Sequence, residues 1–221
     1  MILNNTDVSG ALDILGNHNH KLIDSSHFSF KKQYIKSIDK IDDYQFGNIK
    51  EYRLIKYLSN RFIEEEVWKN CSHLFECSYS DPRNTSNGRR FYNLAWKNDS
   101  GGYELNNHNF KSCWYKKDIT TIPGDESELN IFEGFFDFLS ALTYFEVEEL
   151  KGTVIILNSV SLVHKIVPKL ISFPVVNSFL DNDSPGKQAF CEITKTNQAI
   201  INQSQIIYPT YNDFNDFIVD Q

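Results

Sequence analysis

The sequence predicts an α/β protein whose second half forms a mainly parallel sheet with helices on both faces, preceded by a small mixed α+β subdomain. From residue 129 onward, short apolar segments alternate with segments of helical periodicity, the order expected for such a sheet. The apolar segments show no polar alternation, as in strands covered on both faces. With 41% hydrophobic and 14% aromatic residues among 221, the chain can bury a sizeable core, so global disorder is excluded.

The first half is expected to contain a polar arm, two helices and a small sheet. Residues 1–47 are mostly polar and read as an arm or linker. Apolar residues at helical spacing predict a helix at about 48–60, and acidic residues at the start of 64–71 suit the positive end of a second helix. Turn residues at 98–101 predict a hairpin. The predicted strands here are 74–79, 90–96 and 102–105.

The second half is expected to alternate four strands with four helices. The predicted strands are 129–132, 153–157, 175–180 and 205–208. The predicted helices are 135–150, 162–171, 185–202 and 214–219.

Charge and cysteine content exclude several classes of protein. The chain has no run of eighteen apolar residues and no basic flank at its start, so we expect neither a membrane span nor a secretory signal. Four cysteines without a C-x-x-C pair indicate a reduced, cytoplasmic protein without zinc. The net charge of −7 is uneven: residues 1–117 have 17 Lys and Arg against 14 Asp and Glu, and residues 118–221 have 5 against 15. A neutral-to-basic half suited to phosphates therefore precedes an acidic half suited to cations.

Acidic residues follow three of the four predicted strands of the second half. Ligands of such sheets bind beyond the carboxyl ends of the strands, where these carboxylates would meet. Each could instead cap a helix or complete a turn. Together they would repel one another unless a divalent cation neutralised them, and oxygen ligands favour Mg²⁺ or Mn²⁺. The residues concerned are Glu133, Asp181, Asp183, Asp213 and Asp216.

Two of these segments carry a recognisable pattern. Glu133-Gly134-Phe135-Phe136-Asp137 is followed by Asp181-Asn182-Asp183-Ser184-Pro185-Gly186. This order resembles the Toprim pattern, a strand-end Glu in E-G-x-x-D and a later D-x-D, which DnaG-type primases, topoisomerases and several nucleases share. The resemblance covers about residues 128–221 and implies a Rossmann-like Toprim domain.

The upstream half resembles DnaG-type primases. The segment from Arg90 to Leu105 is similar to their strand-turn-strand before the Toprim domain, so residues 48–122 are expected to be a primase-like subdomain. The whole chain looks most like small primase-related Toprim proteins of bacterial mobile elements. Their N-terminal zinc-ribbon has no counterpart in this sequence, and the beginning of the arm resembles only the tail that follows such a ribbon.

The resemblance implies a set of metal ligands. By it, Glu133, Asp181 and Asp183 hold the divalent metal and are the catalytic residues, and Asp137 is a further ligand nearby. Asp213 and Asp216 are additional acidic candidates, described above. Metal-bound carboxylates of this kind serve phosphoryl transfer, either to a 3′-hydroxyl or to water.

A primase also has to bind its template. Cations beside aromatic residues suit single-stranded nucleic acid, because phosphates need positive charge and bases stack. Lys111 is one of the basic residues of this region, and the preferred contacts are Lys116 and Lys117. The residues predicted to bind nucleic acid are Arg89, Arg90, Lys97, Lys116 and Lys117.

Three functions are consistent with the sequence. The first is a primase-like nucleotidyltransferase that acts on single-stranded DNA and nucleoside triphosphates in the replication of a mobile element, with a helicase or a separate zinc-ribbon protein as partner. The second is a Toprim nuclease that cleaves phosphodiesters. The third is a non-catalytic DNA-binding module of a replication or mobilisation complex. Intact Glu133, Asp181 and Asp183 favour the two enzymes over the third.

Overall fold

The computed structural model describes residues 43–80, 90–196 and 199–221. Residues 41–221 form one compact unit, whereas the predicted arm lies almost wholly outside the described residues. The strands are β1 (Gln45–Gly47), β2 (Leu74–Ser80), β3 (Arg90–Lys97), β4 (Tyr103–Asn107), β5 (Phe110–Trp114), β6 (Thr120–Ile122), β7 (Leu129–Phe132), β8 (Thr153–Ile156), β9 (Val176–Phe179) and β10 (Ile200–Asn202). The α-helices are α1 (Tyr52–Asn60), α2 (Glu65–Asn70), α3 (Phe135–Phe145), α4 (Ser184–Thr194), α5 (Gln203–Ile207) and α6 (Phe214–Val219).

The first sheet is antiparallel, with its strands in the order β1-β2-β3-β4-β5. The predicted hairpin joins β3 to β4, with Lys97 opposite Tyr103. Its turn is fixed by Asn98, whose Oδ1 accepts hydrogen bonds from the backbone amides of Ser100 (3.1 Å) and Gly102 (2.8 Å). Gly102 is obligatory there, since a Cβ atom would lie 2.0 Å from the carbonyl oxygen of Lys116.

The second sheet is mainly parallel, as predicted, in the order β10-β9-β7-β8-β6, and only the edge strand β6 runs antiparallel. Every residue of β7, β8 and β9 is buried. Their apolar sequences follow from this position, because helical elements cover both faces of such a sheet. The carboxyl ends of β7 and β9 therefore open at the same edge.

A continuous core joins the first sheet to the second half of the chain. Trp96 of β3 is fully buried and stacks on Phe135 of α3, with ring centroids 5.4 Å apart and an interplanar angle of 5°. Its indole Nε1 donates a hydrogen bond to Oγ1 of Thr120 at 3.0 Å. Tyr57 of α1 packs edge-on against Phe136 at 5.5 Å.

Two predicted elements of the second half are wrong, and the helix predicted at 185–202 is confirmed only over its first part. The helix predicted at 162–171 is two short 3₁₀ turns, Val160–Lys165 and Val167–Ser172, because Pro168 lacks the amide hydrogen that an α-helix needs. The helix predicted at 185–202 ends at Thr194, and Ile200–Asn202 instead pairs with β9.

The strand predicted at 205–208 is also wrong, since α5 occupies most of that segment. Asn202 starts α5 by accepting a hydrogen bond from the amide of Gln205 at 3.3 Å. Ile206 is exposed, so the apolar pair Ile206-Ile207 does not mark a buried strand. The short strands β1, β5 and β6 were not predicted. Among the helices of the described residues, none has the length and apolar character needed to cross a bilayer.

Candidate active site

A cavity of about 340 Å³ lies where the inner face of the first sheet meets the carboxyl ends of β7 and β9. Its lining combines four carboxylates on the side of the second sheet with three cations. The carboxylates are Glu133, Asp137, Asp181 and Asp213. The cations are Arg61, Lys111 and Lys117.

Glu133 directly follows β7, and the chain turns there into α3. Its Oε2 accepts a hydrogen bond from the backbone amide of Asp181 at 3.3 Å, which ties the end of β7 to the end of β9. Burial raises the pKa of Glu133 to about 6, and the charges of Asp183 and Asp213 add to the rise. Lys111 acts in the opposite direction.

Asp137 lies in the first turn of α3 and is only 7% exposed. Its Oδ2 accepts a hydrogen bond from the amide of Gly134 at 3.1 Å, so the side chain helps to start the helix. Burial raises the pKa of Asp137, and the charges of Asp213 and Glu133 raise it further. This carboxylate is therefore both a helix cap and a member of the acidic group.

Asp181 lies two residues beyond the end of β9. Its Oδ1 is buried and has no hydrogen-bond partner among the described residues. Burial raises the pKa of Asp181, as do the charges of Asp137 and Glu133. Gly186 of α4 packs so closely against this residue that a Cβ atom would lie 2.2 Å from the Asp181 carbonyl oxygen.

Asp213 reaches the cavity from the loop before α6. It caps that helix by accepting a hydrogen bond from the amide of Asp216 at 2.7 Å. Burial raises the pKa of Asp213, while Arg61 and Lys111 lower it. The fourth carboxylate thus comes from a segment that does not belong to the E-G-x-x-D or D-x-D pattern.

Two of the predicted acidic residues lie outside the lining of the cavity. Asp183 caps α4, with its Oδ1 accepting a hydrogen bond from the amide of Gly186 at 2.7 Å. Asp216 is exposed in the first turn of α6. The structure therefore groups Glu133 and Asp181 with Asp137 and Asp213 in the cavity, and gives Asp183 and Asp216 places at helix starts.

The predicted nucleic-acid contacts have different surroundings. Lys117 lines the cavity and pairs with Glu104, 2.8 Å from Nζ to Oε2. Lys97 and Lys116 are exposed. Arg90 is engaged internally, donating to Oδ2 of Asp43 at 3.1 Å and to the Ser78 carbonyl at 3.1 Å. Arg89 lies outside the described residues.

Several residues that line the cavity carry no recognisable signal in the sequence. Arg61 follows the C-terminus of α1, and no local pattern marks it as a site residue. Asn158, just beyond β8, has a φ of 58°. This left-handed conformation is one that asparagine tolerates, but the sequence does not reveal it. Asn158 could have been found by extending the strand-end argument to β8.

The carboxylates fit a hard divalent cation chemically, but they are not assembled as a metal site. One buried and three half-buried carboxylates, all with elevated pKa values, offer the oxygen donors that Mg²⁺ or Mn²⁺ prefers, and Oδ1 of Asp181 has no partner among the described residues. Within the described ranges, however, no three His, Cys, Asp or Glu side chains are close enough together to hold an ion. Mg²⁺ usually keeps several waters and needs only one or two carboxylates, so water and substrate phosphates would complete its coordination here.

Comparisons with known proteins agree with the fold. Residues 130–218 match the family model described as Toprim-like, and residues 43–115 match a domain of unknown function, DUF8464. Comparison with curated proteins finds no match.

Two solved structures are similar to the chain. The primase fragment of the bacteriophage T7 primase-helicase protein matches with a TM-score of 0.52 and 11% identity, over 80% of this chain and 70% of that one. A chain from the T7 lagging-strand DNA polymerase interacting with primase domains of two gp4 subunits, bound to an RNA/DNA hybrid and dTTP, gives a TM-score of 0.47 and 9% identity. That match spans 79% of this chain and 90% of the other. At this identity the first match shows the fold alone.

Proposed function

Starting from a Toprim domain at residues 130–218 and the fold of a primase fragment, we propose that this protein is a metal-dependent, primase-like nucleotidyltransferase. Its substrates are nucleoside triphosphates and its template is single-stranded DNA. The observation that carries the proposal is the cavity in which five carboxylates, four of them on the side of the second sheet, share a lining with three cations. This combination suits phosphoryl transfer, which needs metal ligands and positive groups for phosphates at one place.

The carboxylates and the cations of the cavity have separate tasks in this proposal. Glu133, Asp137, Asp181 and Asp213 would hold Mg²⁺ or Mn²⁺, which supplies activation of a 3′-hydroxyl and charge neutralisation at the triphosphate. Asp183, the second Asp of the D-x-D pattern, joins them only if its side chain leaves the cap of α4. Arg61 and Lys111 bind phosphate oxygens, because both are positively charged side chains that line the cavity beside the carboxylates.

We also propose roles for the region before the Toprim domain, for the exposed basic residues and for partner proteins. The region before the Toprim domain, residues 48–122, acts with the domain at 128–221, since the cavity takes residues from both. Lys97 and Lys116 are exposed and remain our proposed contacts to the template, together with Arg89 and Arg90. For Arg90 this requires release from Asp43. We further propose a helicase or a zinc-ribbon protein as partner, and replication of a mobile element in the cytoplasm as the setting.

Nucleotide incorporation tests the proposal. Labelled nucleoside triphosphates should be extended into RNA on a single-stranded DNA template with Mg²⁺ or Mn²⁺, and Glu133→Gln and Asp181→Asn should each reduce the rate by at least about 100-fold. Glu192→Gln removes the same charge from an exposed site on α4 and should leave the rate unchanged. Loss of labelled template without incorporation would identify a nuclease instead. Incorporation that survives both site variants would contradict the assigned residues.

A further inference from the structure

Tyr115, the residue that follows β5, combines a strained backbone with an exposed aromatic side chain. Its φ of 68° lies in the left-handed region, which glycine adopts readily and a bulky residue rarely does. The residue is 78% exposed, so burial of the ring offsets little of this strain. Strained residues are concentrated at sites where a ligand or partner binds. The exposed ring therefore indicates a binding surface around Tyr115.

Tyr115 extends an aromatic cluster on the face of the first sheet opposite to Trp96. The ring centroid of Tyr115 is 5.9 Å from that of Trp114. Trp114 in turn contacts Tyr103 at 6.0 Å and Phe46 at 5.3 Å, and Phe46 stacks on Tyr103 at 4.1 Å. These three rings are half-buried, so they support the exposed ring of Tyr115 from one side.

Two exposed lysines flank the aromatic cluster. Lys97 of β3 is opposite Tyr103, which is opposite Trp114 of β5, so the three side chains form one cross-strand row. Lys116 comes next after the cluster in the chain, and its carbonyl accepts a hydrogen bond from Nδ2 of Asn98 at 2.7 Å. This bond holds Lys116 against the turn that follows Lys97. Neither lysine forms an ion pair with a described residue, so both can bind phosphates.

The two carboxylates of the β3–β4 hairpin are held by other partners. Asp99 accepts hydrogen bonds from the amide of Thr121 at 2.8 Å and from its hydroxyl at 2.7 Å. Glu104 lines the cavity and pairs with Lys117. The lysines beside the aromatic cluster therefore keep their positive charge for a ligand.

A single strand of nucleic acid has the chemistry that this surface fits. Its unpaired bases stack on aromatic rings and its phosphates bind cations, whereas a duplex keeps its bases stacked inside. Resting on the proposed function, we propose that a base of the single-stranded DNA template stacks on Tyr115. Lys97 and Lys116 bind the adjacent phosphates. Because Lys117, two residues after Tyr115, lines the cavity, the bound strand lies next to the proposed reaction site.

Oligonucleotides with and without bases separate stacking from charge. The probes are a labelled oligo-dU of about 12 nucleotides and an abasic strand of the same length, whose binding is followed by fluorescence anisotropy. Tyr115→Gly removes the ring and suits the φ of 68°, so this variant should fold at least as stably as wild type. We expect it to bind oligo-dU roughly tenfold more weakly and the abasic strand as wild type does. Tyr115→Phe keeps a stacking ring and should retain wild-type affinity for both.

Lysine variants and a control complete the test. Lys97→Met and Lys116→Met should each weaken the binding of both probes. Each should also reduce the slope of log affinity against log salt concentration by about 0.7, the value for one phosphate contact to a single strand. Tyr52 is 71% exposed at the start of α1 and lies outside the aromatic cluster. Tyr52→Ala is therefore the matched control and should change the affinity for neither probe.

Other outcomes would overturn the inference. Equal weakening of both probes by Tyr115→Gly would show that no base stacks on the ring, and unchanged affinity for oligo-dU would remove Tyr115 from the binding surface. Tighter binding of oligo-U than of oligo-dU would assign the surface to RNA and not to the template. In each case the proposed function stands if wild type still incorporates nucleotides. A wild-type protein that neither binds oligo-dU nor incorporates nucleotides would contradict the proposed function and the inference together.

Discussion

Arg61 and Asn215, 154 residues apart, exchange two hydrogen bonds. The guanidinium Nη1 of Arg61 donates to Oδ1 of Asn215 at 2.8 Å, and Nδ2 of Asn215 donates to the Arg61 carbonyl at 2.8 Å. Nδ2 also contacts Oγ of Ser140 in α3 at 2.9 Å. Asn215 is 1% exposed, so one amide fastens the end of α1 to α3 and α6 beside the cavity.

This contact predicts energetic coupling between distant segments. Asn215→Ala leaves the buried partners of the amide unsatisfied and should lower the free energy of unfolding by about 3 kcal/mol. Combining it with Arg61→Ala should give a coupling energy of about 1 kcal/mol in urea denaturation. Arg53→Ala, an exposed arginine on the same helix, is the matched control and should be additive with Asn215→Ala. Additivity of the Arg61 and Asn215 changes would contradict the coupling.

Removing a carboxylate from the cavity should stabilise the metal-free protein. Because the folded-state pKa of Asp181 is raised, ionisation of this group opposes folding, and stability falls as pH rises from about 4 through that pKa. At pH 8 with a chelator, Asp181→Asn should raise the free energy of unfolding by about 1–2 kcal/mol. The gain should shrink toward pH 4, where wild type takes up the proton.

The matched control for this experiment is Asp183→Asn. It changes the same residue type outside the cavity lining and keeps a good helix cap, so stability should change little. Urea denaturation at pH 5 and pH 8 measures both variants. An Asp181→Asn protein that is less stable than wild type at pH 8 would show that the carboxylates are not under mutual repulsion.

Asp118 should contribute to acid denaturation with the opposite sign. Burial alone would raise its pKa, but hydrogen bonds from Lys165 (2.5 Å) and Ser100 outweigh it and lower the pKa to about 2. A lowered pKa contributes stability above about pH 4, and this contribution is lost as pH falls toward 2. Asp118→Asn and Lys165→Met should both flatten the loss of stability between pH 4 and pH 2. An unchanged acid-unfolding profile in both variants would refute the role of this pair.

The hairpin turn makes a steric prediction. In Gly102→Ala the new Cβ would lie 2.0 Å from the Lys116 carbonyl, so the backbone before Lys117 has to move. We expect a loss of at least about 2 kcal/mol in thermal or urea unfolding. Gly47→Ala has no atom within 4 Å of its Cβ and should cost less than about 1 kcal/mol. Equal effects of the two substitutions would contradict the close approach.

The strand ends were the part of the site that local sequence could predict. Glu133 and Asp181 follow short, mainly apolar segments, and parallel strands bring their carboxyl ends to one edge. Asp213 was predicted as a site residue because it follows a strand predicted at 205–208. That strand is wrong, since most of the segment belongs to the helix α5. Asp213 lines the cavity because the loop between α5 and α6 leads back to it, and the spacing of apolar residues does not predict the path of that loop.

The cationic and neutral residues of the cavity could not be predicted locally. Arg61 acquires its position from Asn215, whose own neighbours are far away in sequence. Glu104 lies in a strand whose inner face becomes a cavity wall only when the first sheet packs on the second. Lys111 lies in the unpredicted strand β5, although it was among the basic candidates. Contacts between distant segments decide these roles, and composition and spacing do not record them.

The stacking of Trp96 on Phe135 limits where the gene could be divided or recombined. A boundary between β6 and β7 would fall between the two matched family regions, yet it would expose an indole that is fully buried and the phenyl rings beneath it. Transplanting residues 130–218 onto another scaffold would carry this apolar face with it, and large exposed apolar faces favour aggregation. The two regions are therefore expected to be inherited, and expressed, as one piece.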